Sequence, residues 1–200
     1  MFDSHLRPLI ERALHKSAVT LAARGLTANF LTGLGFGASM IAAICVASGA
    51  FPLALAFGFA SRLLDGLDGM VARLRGPTLL GGYLDILADF AFYAALPLAF
   101  VVFDPARNGI AGAALLASFF INATSFLGFA ILAEKQGQET SVNGEKSHYH
   151  ATGLIEGSET IAFFTLCLIW PGLFAPLGLG FAGLATLTVL LRVYTAGKLF

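Results

Sequence analysis

The sequence predicts an all-α integral membrane protein with six transmembrane helices and an N-terminal amphipathic interfacial helix. Three observations carry this. Charged residues make up 12% of the 200 and hydrophobic ones 57%, whereas a soluble domain averages about 25% charged. Six apolar runs come close to the roughly 20 residues that a bilayer crossing needs. Lys and Arg are distributed unevenly between the loops that join those runs. Mean hydropathy is +0.80. The 23 glycines suit helices that pack closely in lipid. A formal net charge of zero gives no electrostatic case for a nucleic-acid partner.

Residues 1–24 form a prelude to the membrane domain at 25–200. Leu6, Leu9, Ile10, Ala13, Leu14 and Ala18 recur at helical spacing, with Arg7, Glu11, Arg12, His15 and Lys16 between them. That pattern predicts an amphipathic helix on the inner membrane face, the ordinary alternative being a solvated leader. The stretch has neither the early apolar segment nor the small-residue cleavage site of a signal peptide.

The six predicted spans run 26–48, 51–73, 79–103, 110–133, 153–174 and 176–199. Gly and Pro punctuate them: "SGAFP", "RLRGPT", "DPARNG" and "WPGLFAP" separate successive runs, and a long polar stretch separates the fourth from the fifth. Arg7, Arg12, Lys16, Arg24, Arg73, Arg75, Lys135 and Lys146 then fall on one side, and Arg107 on the other. The positive-inside rule puts the first side, with both termini, in the cytoplasm. Cys45 and Cys167 lie inside apolar runs and read as small buried hydrophobes. Trp170 and Tyr194 near span ends read as interfacial anchors.

Against this background four acids stand out in "DGLDGMVARLRGPTLLGGYLDILAD". Asp65 and Asp68 are three apart, and Asp85 and Asp89 four apart, so each pair shares a helix face. A short Gly/Pro turn folds the two helices into an antiparallel pair and brings both acid pairs to similar depth. Each intramembrane carboxylate costs about 2.5–3.5 kcal/mol on insertion scales, before mutual repulsion. Arg62 and Arg73 offset part of that, but two cations cannot satisfy four carboxylates. Hard divalent cations would: an all-carboxylate set suits Mg²⁺ or Mn²⁺ rather than Zn²⁺. Four acids suffice for two ions, an arrangement that commonly clamps phosphates during displacement at phosphorus. The plain alternative is a set of helix-end acids in water. Gly66, Gly69, Gly81 and Gly82 remove bulk around the acids, and Arg73, one turn past Gly69, is able to grip a diphosphate bidentately.

Asp65-x-x-Asp68-Gly69-x-x-Ala72-Arg73 followed by Gly81-x-x-x-Asp85-x-x-x-Asp89 resembles the signature of the CDP-alcohol phosphotransferases, membrane enzymes of phospholipid synthesis. The gap from Arg73 to Gly81 is one residue shorter than the family pattern and falls in the turn. Gly81 rather than Gly82 preserves the spacing to Asp85. "LTANFLT" resembles the family's segment ahead of the first span, with Ala28 where a Pro is usual. The resemblance implies transfer of a substituted phosphate from a CDP-linked donor such as CDP-diacylglycerol to an alcohol acceptor, with release of CMP. It further implies two Mg²⁺ or Mn²⁺ ions on Asp65, Asp68, Asp85 and Asp89, with Asp89 also as general base. Asn29, Thr32, Gly69, Ala72, Arg73 and Gly81 would line the CDP pocket. A homodimer in a bacterial inner membrane, its site open to the cytoplasm, completes the expectation.

The acceptor is less legible. Glu156 and Glu159 share a face near the cytoplasmic end of the fifth span. They fit either a neutral or amine-bearing alcohol or simply the acids that favour a helix N-terminus. His148 and His150 read as loop residues. Asn122, Thr124 and Ser125 read as inter-helix hydrogen-bonding groups. Two other classes compete with the phosphotransferase. An intramembrane Mg²⁺-dependent prenyltransferase also holds a diphosphate on acids, but its acidic motifs lie far apart in sequence. A non-catalytic cation-binding or transport protein would line a path with acids, often in repeated halves, and no repeat is visible here.

Overall fold

A computed structural model describes residues 3–135, 155 and 157–200. Among these residues seven α-helices follow in order: α1 Asp3–Ala23, α2 Ala28–Ala47, α3 Phe51–Arg75, α4 Leu79–Phe103, α5 Pro105–Lys135, α6 Gly157–Ile169 and α7 Phe174–Leu199. No strand occurs among the described residues. The polar stretch before α6, with His148, His150 and Glu156, lies outside the described residues.

Local chemistry sets the boundaries. Thr27 caps α2 by accepting from Phe30 N at 3.3 Å, and Thr78 caps α4 by accepting from Gly81 N at 3.0 Å. Between α3 and α4 the chain turns at Gly76, whose φ of +97° is open to glycine and strained for other residues. Two boundaries differ from the sequence expectation. "DPARNG" is the first turn and a half of α5 rather than a loop: Pro105 supplies a preset φ at the helix start, and Asp104 Oδ1 accepts from Arg107 N at 3.1 Å. At the other place α6 stops at Ile169, five residues early, because Pro171 lacks an N–H and disfavours helix at Trp170. A 3-10 turn over Pro171–Leu173 leads into α7. Arg107 Nη2 donates to Gly172 O at 2.6 Å and ties these two connections together.

α2 packs on α3 and α4, α5 on α4 and α7, and α6 on α3. The core between them is aromatic. Phe100 of α4 stacks on Phe174 of α7 at 4.2 Å between centroids, and Phe163 of α6 on Phe181 of α7 at 4.4 Å. A smaller cluster of Ala18, Leu31, Met70 and Val71 fastens α1 to α2 and α3, so the prelude packs against the bundle just beside the acid-bearing helix.

Among the described residues, four segments are long and apolar enough to cross a membrane: Ala28–Ala47, Leu79–Phe103, Pro105–Lys135 and Pro171–Leu199. The other two expected spans differ in kind. α3, at 25 residues, is roughly 37 Å long, but Arg62, Asp65, Asp68, Arg73 and Arg75 interrupt its apolar run. α6 is apolar but has 13 residues in its described part. Among the expected spans, the helix with the most charged side chains is therefore the one whose hydropathy reads least like a span.

Candidate active site

The α3–α4 hairpin builds the site. Asp65 and Asp68 sit two to three turns before the end of α3, and Asp85 and Asp89 two to three turns after the start of α4. The two ends are joined by three residues, so the acids meet. One carboxylate oxygen from each of Asp65, Asp68 and Asp85 lies within 4.8 Å of the others. That spread suits a hard cation bound by oxygen ligands. Asp68 is 4% exposed and takes a 2.5 Å hydrogen bond from Thr32 Oγ1 on α2. α2 thus fixes the most buried acid of the set.

Asp89 lies beside this trio and pairs with Arg62. Its Oδ1 accepts from Arg62 Nη1 at 2.7 Å. Asp65 Oδ1 is 3.8 Å from the same nitrogen, an ion pair without a hydrogen bond. The Arg62 guanidinium also donates from Nη2 to Ser61 Oγ at 3.1 Å and lies over the Phe92 ring at 4.6 Å.

The residues expected to line a nucleotide pocket surround the trio unevenly. Asn29 and Thr78 crowd Gly81: a Cβ there would lie 2.9 Å from Asn29 Oδ1 and from Thr78 Oγ1, whereas one on Gly82 would meet nothing within 4 Å. Of the two adjacent glycines, Gly81 alone is closely approached, by two side-chain ends. Arg73 Nη1 hangs over Gly69, 3.6 Å from where a Cβ would be. Arg73 Nη2 donates to Glu11 Oε1 of α1 at 3.0 Å, and Ala72 is half-buried beside it. A cleft of about 180 Å³ lies there, lined by Glu11, His15, Met70, Arg73 and Leu74. Glu159 is on the first turn of α6, where it accepts from Ser158 Oγ at 3.2 Å, and it is not part of the acidic set.

Two arrangements escaped the sequence reading. Arg62 selects Asp89, 27 positions away, over Asp65 on its own helix. Arg192 of α7 is 5% exposed, and its Nη1 donates to Asn122 O and Oδ1 at 3.2 and 3.0 Å and to Ser125 Oγ at 3.2 Å on α5. The i, i+3 pair Asn122 and Ser125 was the visible half of that second cluster. Thr124 instead bonds within α5, to Phe120 O at 2.9 Å.

Fold and site together define an all-helical membrane protein with an acidic, cation-suited cluster on a single helical hairpin. A model of the CDP-alcohol phosphatidyltransferase family matches residues 25–195, and the chain belongs to that family. It is accordingly a transferase of membrane phospholipid biosynthesis, which sets aside the prenyltransferase and the non-catalytic cation-binding readings. The chain is 40% identical over 195 residues to inner membrane protein YnjF of Escherichia coli (strain K12), covering 98% of this chain and 95% of that one. An archaetidylinositol phosphate synthase of Methanothermobacter thermautotrophicus is 38% identical over 87 residues, 43% of each chain. The fold is shared with Mycobacterium tuberculosis phosphatidylinositol phosphate synthase (PgsA1). The structure with CDP-DAG bound superposes with a TM-score of 0.73 at 23% identity, covering 92% of this chain and 94% of that one. The complex with manganese and citrate gives 0.68 at 22%, covering 90% and 87%.

Proposed function

We propose that this protein moves a phosphatidyl group from CDP-diacylglycerol to an alcohol, releasing CMP, at the cytoplasmic face of a bacterial inner membrane that it crosses six times, with α1 lying on the interface. The convergence of Asp65, Asp68 and Asp85 within 4.8 Å on one hairpin carries the reading. Those three, with Asp89 completing the set, would hold two Mg²⁺ or Mn²⁺ ions. When bound, the cations would neutralise the donor diphosphate and make CMP a better leaving group. Support for manganese comes from the related PgsA1, solved with that ion, and support for the donor from the same protein with CDP-DAG.

The chain's own residues do the rest. Thr32 orients Asp68. Gly69, Ala72 and Gly81 leave room for the nucleotide, with Asn29 beside Gly81. Arg73 grips the diphosphate once it lets go of Glu11. Asp89 accepts the proton of the attacking hydroxyl. Six spans place this chemistry where a lipid donor and a water-soluble acceptor both arrive, and two such chains form a homodimer.

Glu156 and Glu159 favour a neutral or amine-bearing acceptor. A phosphorylated polyol is the second reading. The buried cation Arg192 favours it, as do the inositol phosphate acceptors named for two similar proteins. CMP release from CDP-diacylglycerol and Mn²⁺ with glycerol 3-phosphate, inositol phosphate or serine, and from a CDP-aminoalcohol with diacylglycerol, separates them. A response to serine or diacylglycerol alone supports the first, and a response to the phosphorylated acceptors alone supports the second.

Two further outcomes are expected. Glu11→Gln lowers the donor KM about two- to fourfold, the worth of one solvent-exposed ion pair released from Arg73; an unchanged KM would remove Arg73 from the donor pocket. Thr32→Val leaves Asp68 without its hydrogen bond and weakens Mn²⁺ binding about tenfold, as loss of a ligand's orienting partner commonly does. Mn²⁺ titration followed by electron paramagnetic resonance reads that change.

A further inference from the structure

We infer that the Tyr93 phenol is a further acceptor-binding group, the donor that holds the attacking hydroxyl beside Asp89. The inference rests on the phosphatidyl-transfer reading above. Asp85, Asp89 and Tyr93 follow one another on α4 at intervals of four. That spacing places the three on one face of the helix, with Tyr93 about 6 Å further along it than Asp89. The face is the one that meets α3, since Asp89 Oδ1 accepts from Arg62 Nη1 at 2.7 Å.

Tyr93 stands where the ionic site ends and the aromatic core begins. Its half-buried ring packs against the main core, 5.8 Å from the Phe92 ring and 6.1 Å from that of Phe119 on α5. Arg62 lies over Phe92 at 4.6 Å, and the Tyr93 phenol is near enough to act on the guanidinium charge. The ring therefore belongs to the core and the hydroxyl end to the site, as suits a side chain with an apolar body and a polar tip. A plain ring would close the inner end of the site equally well, as the neighbouring Phe92 does, so packing does not account for the hydroxyl.

Hydrogen-bond capacity tells what that hydroxyl supplies. An ionised carboxylate only accepts, so Asp65, Asp68, Asp85 and Asp89 offer an incoming alcohol no donor. Arg62 Nη1 and Nη2 already donate, to Asp89 Oδ1 and to Ser61 Oγ, and Thr32 Oγ1 donates to Asp68. An alcohol that donates to Asp89 keeps two lone pairs. One attacks phosphorus, and the other needs a donor to fix its direction. Tyr93, one turn beyond Asp89, is a neutral donor, and it costs less to bury than a further charge. Every candidate acceptor attacks through a hydroxyl, so the contact does not depend on what else the acceptor carries.

Tyr93→Phe removes the hydroxyl and keeps the ring, and so leaves the packing intact. The experiment uses purified full-length protein in nanodiscs, with CMP release followed against each of the acceptors named above and Mn²⁺ titrated by electron paramagnetic resonance. For the acceptor that drives CMP release in the parent, kcat/KM is expected to fall about tenfold, as for one lost hydrogen bond. The donor KM and the Mn²⁺ affinity should stay within about twofold of the parent. A ring that only packs predicts an unchanged acceptor kcat/KM. A hydroxyl that serves the donor or the cations predicts a raised donor KM or weaker Mn²⁺ binding. Either result would overturn the inference while leaving phosphatidyl transfer in place. A parent that releases no CMP with any acceptor would overturn the phosphatidyl-transfer reading, and the inference with it.

Discussion

Asp68→Asn is expected to lower turnover on the order of a thousandfold while raising the unfolding temperature of the metal-free protein. Both effects follow from the burial of one carboxylate. Asp68 is 4% exposed, shares a space 4.8 Å across with two other acids, and lies in a helix expected to cross lipid. Asn keeps the volume and still accepts from Thr32 through its amide oxygen. It removes a buried negative charge, whose isolated burial is costly and whose neighbours repel it. The same change takes away a cation ligand that an amide replaces poorly. The opposed effects mark a functional acid held against a stability penalty. Added Mn²⁺ reverses the ranking, because ligand binding to the folded state stabilises the parent and not the variant. Thermal unfolding with and without Mn²⁺, beside CMP release, checks all three statements. A variant less stable than the parent without metal would make Asp68 a structural residue.

Gly81→Ala against Gly82→Ala carries the second large effect. A methyl on Gly81 would come 2.9 Å from Asn29 Oδ1 and Thr78 Oγ1, and one on Gly82 would meet nothing within 4 Å. Both crowded atoms end short side chains that are able to turn away, so the fold survives. What turns away is the Asn29 amide and the Thr78 cap, and with them the space expected to receive the nucleotide. Donor kcat/KM should fall about ten- to a hundredfold for Gly81→Ala, as for displacement of a positioning group by about an ångström. It should change less than about twofold for Gly82→Ala, a substitution into open space whose helix-propensity gain of roughly 0.5–1 kcal/mol acts on stability rather than on donor binding. Equal effects at the two positions would refute the alignment of the second half of the motif on Gly81.

These contrasts show what the chain's residue order made visible. The hairpin was legible because its causes are local: two acid pairs at helical spacing, a Gly-Pro-Thr turn, and apolar runs bounded by Gly and Pro. Asp65, Asp68 and Asp85 come together as that spacing requires. The pairing of the fourth acid was not legible. Spacing alone favours Arg62 with Asp65, its i+3 neighbour, but Asp89 faces the guanidinium more closely across the hairpin, and only packing between α3 and α4 settles that choice. The resemblance placed Thr32 in the nucleotide pocket, but its hydrogen bond to Asp68 was not legible, since nothing in an isolated Thr signals a carboxylate 36 positions on. The Arg192 cluster was not legible because its partners, Asn122 and Ser125, lie on another helix. "DPARNG" carried loop composition, yet Pro at the first position and Asp just before it are also how a helix begins. α6 ended early for an equally local reason, Pro171.

Cation-dependent phosphatidyl transfer by the α3–α4 acids is tested most directly by CMP release from CDP-diacylglycerol in proteoliposomes, with the acceptors supplied together. Release should require Mn²⁺ or Mg²⁺, stop on chelation, resume when the cation is restored, and be absent from Asp85→Asn. CMP release that persists under chelation, or that Asp85→Asn leaves undiminished, would contradict the account.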